Sequence, residues 1–193
     1  MHGNKAYGII DDDWMEKARI EKYKKNNIFV LPLNEIEMFL VDEAIVQSVL
    51  ESDDQDKEQK FNKFKEATIN SCIKNKDKII SIALKKKLDE FMEGHFIEKN
   101  KPTKHDAQKF LEGLVTRFDV ISTVETITSI VEEALGSSNF SSILKICNLK
   151  KEIINQLGNT VITRDFKNKA LSKIATDSEL QNILRTKYFS ELV

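Results

Sequence analysis

GIIDDDWMEKARIEKYKKNNIFVLPLNEIEMFL, residues 8–40, decides the fold. Two short apolar runs frame a charged middle. Ala6 to Asp11 reads as a short buried strand carrying Tyr7, Ile9 and Ile10. Trp14 to Lys25 reads as a helix, weakly amphipathic through Met15, Ala18 and Ile20, with Asn26-Asn27 as its stop. Ile28-Phe29-Val30-Leu31 is a second apolar strand, ended by Pro32. Strand, helix and strand at this spacing make a βαβ unit, whose two strands run parallel.

Beyond this unit the pattern turns helical. The expected division is an α/β segment over residues 1–50 and a predominantly α-helical region over 51–193. Asn34 is placed to cap a helix through Leu40, and Asp42 one running to Leu50. Ser52 to Asp56 is a polar linker. Residues 57–93 form one long helix, or two broken near Asn75, with Phe61, Phe64, Ile69, Ile73, Ile80, Leu84, Leu88 and Phe91 mostly on one stripe. Gly94 closes that stretch, and residues 99–102 are a loop. Thr103-Lys-His-Asp106 has the form of a capping box before a helix carrying Ala107, Phe110, Leu111, Leu114, Val115 and Phe118. Val120, Val124, Ile127, Val131 and Leu135 keep helical spacing, yet the β-branched residues leave a strand open. Gly136-Ser137-Ser138 reads as a turn, and Phe140 to Ile146 as strand or helix. Lys150 to Leu157 reads as a helix ended by Gly158, followed by helices near 165–175 and 178–188.

Bulk properties exclude several classes. Of the 193 residues, 40% are hydrophobic and 32% charged, a globular rather than disordered composition. A net charge of −1 gives no global field that recruits nucleic acid or membrane, so such binding must come from local patches. Cys72 and Cys147 stand far apart in no metal-like spacing and read as buried small hydrophobes. The start resembles no signal peptide, and no apolar stretch approaches a membrane span, so a cytoplasmic location is expected.

The chemistry concentrates in the acidic residues. Alternate side chains of a strand share a face, so Asp11 and Asp13 point together and Asp12 away. Sites in open α/β sheets form at the carboxyl ends of strands. Two carboxylates converging there suit Mg²⁺, which takes oxygen ligands and keeps several waters. Against a phosphodiester such an ion activates water and stabilises the leaving oxygen. The competing account is a solvated turn in which Asp13 caps the next helix. Glu35 and Glu37 follow the second strand. They share a face if extended but lie about 200° apart if helical, and as surface charges they would favour a helix N-terminus. Lys150 could neutralise phosphate charge or be solvated. Lys85-Lys86-Lys87 reads as an exposed basic face that could also touch a phosphate backbone. His2, His95 and His105 are scattered.

Two families carry acidic clusters after a short strand. A response-regulator receiver is excluded at its phospho-accepting position, where Glu51-Ser-Asp53-Asp54-Gln lies in a polar linker. The better likeness is to a Toprim domain. Gly8-Ile-Ile-Asp-Asp-Asp-Trp14, the helix, and Ile28 to Leu40 resemble its second half. They look most like the Toprim-like domain of unknown function, related to the OLD nucleases, that accompanies ABC-type ATPases in prokaryotic defence operons. The resemblance covers about residues 6–45 and implies a partial Toprim/Rossmann-like βαβ. It puts Asp11 and Asp13 on the Asp-x-Asp metal positions, Glu37 on the later acidic position, and Glu35 beside it as a further metal ligand. Met38 stands where the family has Asn. Lys150 matches a basic step in the tail, with Leu149 replacing its glycine.

The implied cofactor is Mg²⁺, with Mn²⁺ as its substitute. The implied partners are an ABC-type ATPase and a nucleic acid (DNA or tRNA), with no membrane; two strands alone make a poor sheet, so they are expected either to pair with a second copy of the chain or to be covered by the tail. A Toprim domain opens with a strand bearing a catalytic glutamate, and only Met1 to Lys5 precede the first strand here. The chain is thus expected to be the C-terminal part of a Mg²⁺-dependent Toprim-type nuclease that cleaves nothing alone. The rival expectation is a helical protein-interaction module, with a vestigial acidic cluster, that docks on the ATPase or on itself.

Overall fold

A computed structural model describes residues 8–50, 56–93 and 104–190. Ala6, Tyr7, most of the polar linker, Gly94, the 99–102 loop and Thr103 lie outside the described residues, as do the side chains of Ala107, Phe110, Leu114 and Val115. The chain is mostly helical, with one small sheet at its start. β1 (Gly8–Asp11) pairs in parallel with β2 (Ile28–Leu31), in the register Gly8↔Ile28 to Asp11↔Leu31. α1 (Lys17–Lys25) makes the crossover. The βαβ unit is therefore present, but two details differ from expectation. β1 is only half-buried and turns Ile9 outward, because only β2 lies against the core. The helix starts at Lys17 rather than Trp14, because Asp13 (φ 46°) and Trp14 (φ 63°) are left-handed and cannot begin a right-handed helix.

After β2 the chain forms a 3-10 helix (Ile36–Val41) and then α2 (Glu43–Leu50). Asn34 does not cap the first of these; Glu35 occupies the cap position, and the Asn34 amide instead donates to the Ile146 carbonyl at 3.3 Å. Asp42 does cap α2, its carboxylate accepting from the Ala44 N–H at 3.0 Å. α3 (Lys57–Lys74) and α4 (Lys76–Glu93) separate at Asn75, whose side chain takes the Ser71 carbonyl at 2.8 Å. α3 buries Phe61, Phe64, Thr68 and Cys72, a 3-4-4 spacing that makes one stripe. The break ends that stripe: Ile73 and Leu88 are exposed, and α4 buries Ile79 and Ala83 instead.

α5 (Lys104–Arg117) leads to α6 (Val120–Ser137), which packs on α4. The strand alternative for α6 fails because Asp119 caps a helix at the Ser122 N–H (3.0 Å), and the expected turn at Gly136 moves to Ser138 (φ 50°). α7 (Phe140–Ile146) is likewise helical. A π-helix, Lys151–Ile162, follows and packs on α3. Gly158 lies inside it and ends nothing. A Cβ on Gly158 would stand 2.5 Å from the Phe166 ring, so the glycine serves close approach rather than termination. α8 (Phe166–Thr176) and α9 (Ser178–Tyr188) close the chain within a residue of expectation, α9 capped by Asp177 at the Leu180 N–H.

One hydrophobic core joins both regions. Phe64 meets Phe140 and Phe166, each with ring centroids 6.3 Å apart. The end of α9 returns to the start of the chain: Phe189 packs on Phe29 at 5.6 Å, and Asp42 accepts from Lys187 (2.6 Å) and Tyr188 (2.5 Å). Cys72 and Cys147 are both fully buried thiols whose sulfurs touch at 3.6 Å. Their contact joins α3 to the segment that leads to Lys150. No described helix is long and apolar enough to cross a membrane.

Candidate acidic site at the strand ends

Asp11 closes β1, and the chain then turns sharply. The Asp12 N–H bonds back to the Leu33 carbonyl at 2.9 Å, which ties the turn to the segment leaving β2. The Asp12 carboxylate accepts from the Trp14 and Met15 N–H groups and faces the cleft beside Lys187 and Tyr188. Asp12 thus builds the turn, as aspartate does well, and points away from its neighbours. Asp13 does not cap α1; Glu16 holds that position without a side-chain bond. Asp13 instead receives the Lys86 ammonium at 2.6 Å.

Asp11, Asp13, Glu35 and Glu37 form one electrostatic group. Burial, then the charge of Asp13, push the Asp11 carboxyl above its ordinary value, against the Ile36 N–H and Lys86. Burial raises Glu35 as well, with Glu37, Asp11 and Asp13 adding to it and Lys150 opposing. The Glu35 backbone is extended and Glu37 enters the 3-10 helix, an arrangement that lets both meet Lys150. Lys150 donates to Glu37 at 2.9 Å, which holds Glu37 low and raises Lys150 itself. Glu35 Oε2 is buried without a hydrogen-bond partner, with the ammonium 3.9 Å away. The structure brings Lys150 to Glu35 and Glu37, and the charges of Asp11 and Asp13 reach Glu35.

Two features were not anticipated. Lys86, expected on an exposed basic face, reaches across 73 residues to Asp13, while Lys85 pairs with Asp89 and Lys87 with Glu90. Asn148 is 8% exposed, with both its Oδ1 and Nδ2 unpartnered. It lies between Ile146, bonded to Asn34, and Lys150, bonded to Glu37. A polar residue inside the apolar run Ile-Cys-Asn-Leu was the available signal, since a buried amide without a partner is costly.

The donor type suits a hard cation: carboxylate oxygens, one of them orphaned and buried. Two ammonium groups, Lys86 and Lys150, now face the four carboxylates. Among the described residues, no three His, Cys, Asp or Glu side chains are close enough together to hold a metal ion. No family model matches the chain, and neither a curated protein nor a solved structure matches it.

Proposed function

We propose that the acidic group at the carboxyl ends of β1 and β2 is a divalent-cation site of a Toprim-type phosphodiesterase. The observation that supports this reading is Glu35 Oε2, buried without a hydrogen-bond partner and disfavoured as an anion by burial and by Glu37, Asp11 and Asp13. Crowded, partly desolvated carboxylates are unfavourable unless a cation joins them. Mg²⁺ held there would polarise a phosphate oxygen and ready a water for attack. Asp11 and Asp13 would hold the ion, with Glu35 as the third carboxylate. Lys86, now on Asp13, would have to give up that pair, and Lys150, now on Glu37, would be free to meet a phosphate oxygen. Glu37 would then be the group placed to accept a proton from the attacking water. A nucleic acid, DNA or tRNA, is the substrate class, and an ABC-type ATPase the partner.

Thermal melting with increasing Mg²⁺ or Mn²⁺ tests the site. Stabilisation that saturates, and that Asp11→Asn abolishes, is expected. A melting temperature indifferent to both ions in the parent chain overturns the reading.

A second reading has its own observation. Leu111, Val120 and Ile121 on α5 and α6 are 61%, 51% and 73% exposed. Apolar side chains left outside suit a helical docking module. Binding to the ATPase that survives Asp11→Asn/Asp13→Asn, but not Ile121→Asp, favours that module.

A further inference from the structure

The turn that carries the aspartates has a second side. Asp13 and Met15 line a small cleft with Lys86, and Trp14 and Glu16 line a larger one of about 630 Å³. Glu90 borders both, so the two clefts are neighbours. The larger lies in the size range of small-molecule sites. Its wall is aromatic: Trp14, Phe91 and Phe118, with the last two rings 5.1 Å apart and tilted by 46°.

The charged groups of this wall are not equivalent. Glu90 is held by Arg19 and Lys87. Asp119 is engaged as the cap of α6. Glu16 stands at the start of α1. Arg117 closes α5, and its guanidinium makes no ion pair or hydrogen bond with any described residue. A planar cation that pairs with no carboxylate among the described residues, beside three rings, matches a base with its phosphate. Rings stack on every nucleobase, and a guanidinium takes phosphate in a fork. Trp14 also holds its left-handed backbone (φ 63°), a costly conformation for a bulky residue, which sets the indole in this wall.

We propose that this cleft binds an unpaired nucleobase, stacked on Trp14, Phe91 and Phe118, with a flanking phosphate on Arg117. The choice of nucleic acid as occupant rests on the nuclease reading of the adjacent acidic site. The cleft gives that site a preference for single-stranded or flipped-out nucleotides, since a base inside a duplex cannot enter it.

Trp14 is the only tryptophan and reports directly. The full chain is titrated in EDTA with a short oligothymidylate and with an abasic oligonucleotide carrying the same number of phosphates. Saturable quenching by the first, and at least about tenfold weaker binding of the second, is expected from the loss of stacking. Arg117→Gln, on an exposed side chain, weakens oligothymidylate binding severalfold with an unchanged melting temperature. Equal binding of the two oligonucleotides, no quenching, or an indifferent Arg117→Gln overturns the proposal. Because EDTA removes divalent ions, the two readings fail separately. Base-dependent quenching without a Mg²⁺ melting shift sinks the nuclease reading and keeps the cleft. A Mg²⁺ shift without quenching sinks the cleft alone.

Discussion

Asp11 is held where its charge is unwelcome, and that has a measurable sign. Its carboxyl titrates above the ordinary 3.8 because burial and Asp13 disfavour the anion. A carboxyl raised in the folded state contributes stability below its unfolded value, and that contribution is lost as pH rises through the folded value. At neutral pH the anion is therefore a net cost, and Asp11→Asn is expected to stabilise the ion-free protein by up to about 1 kcal/mol, given its partial exposure. It should also flatten the decline in stability as pH rises above 3.8. Melts of both chains in EDTA across acid to neutral pH check this. A destabilised Asp11→Asn would show that the carboxylate is structural. Asp42 makes the contrasting case. Buried to 1% side-chain exposure, it caps α2 and accepts from Lys187 and Tyr188. Asp42→Ala should cost about 2–4 kcal/mol, from the lost cap and the stranded phenol. Tyr188→Phe should cost about 1 kcal/mol. Denaturant titrations of both and of the double variant would reveal coupling between them.

At the scale of elements, Gly158 carries the sharpest prediction. Gly158→Ala drives a methyl into Phe166, which is fully buried and packed on Phe64, so the ring cannot retreat. The expected cost is about 1–3 kcal/mol. Phe166→Leu makes room, so the double variant should lose less than the sum of the two, as urea unfolding would reveal. The same residue shows where sequence reasoning stops. The βαβ unit and the cap at Asp42 were legible, and the break at Asn75 was one of two readings, because their signals are local. Glycine at 158 looks like a helix stop until Phe166 is folded against it. Asn34 looks like a cap until Ile146 supplies a carbonyl 112 residues away. Asp11, Asp13, Glu35 and Glu37 could be singled out because they sit near the ends of two paired strands. Lys86 and Asn148 come from elements whose arrival at that place depends on the whole core.

Across the whole molecule, the strand pair is not an independent unit. β2 lies under Phe189, and Asp42 ties α2 to the end of α9. Lys86 and Lys150 bring the helical region to the acidic residues from two different elements. A ligand at the acidic group therefore acts on contacts between distant parts of the chain. A cation there would trade the two ammonium contacts for its own charge.

The meeting of Cys72 and Cys147 makes that exchange visible. Both thiols are sealed, and Cys72 is disfavoured as a thiolate, first by its hydrogen bond to Cys147 and then by burial. A thiol reagent can reach them only when the seam between α3 and the Lys150 segment parts. Modification kinetics thus time the breathing of that seam, without any engineered probe. Saturating Mg²⁺ should slow labelling in proportion to the thermal stabilisation it confers. Labelling at the rate of a free thiol would mean that the seam stands open.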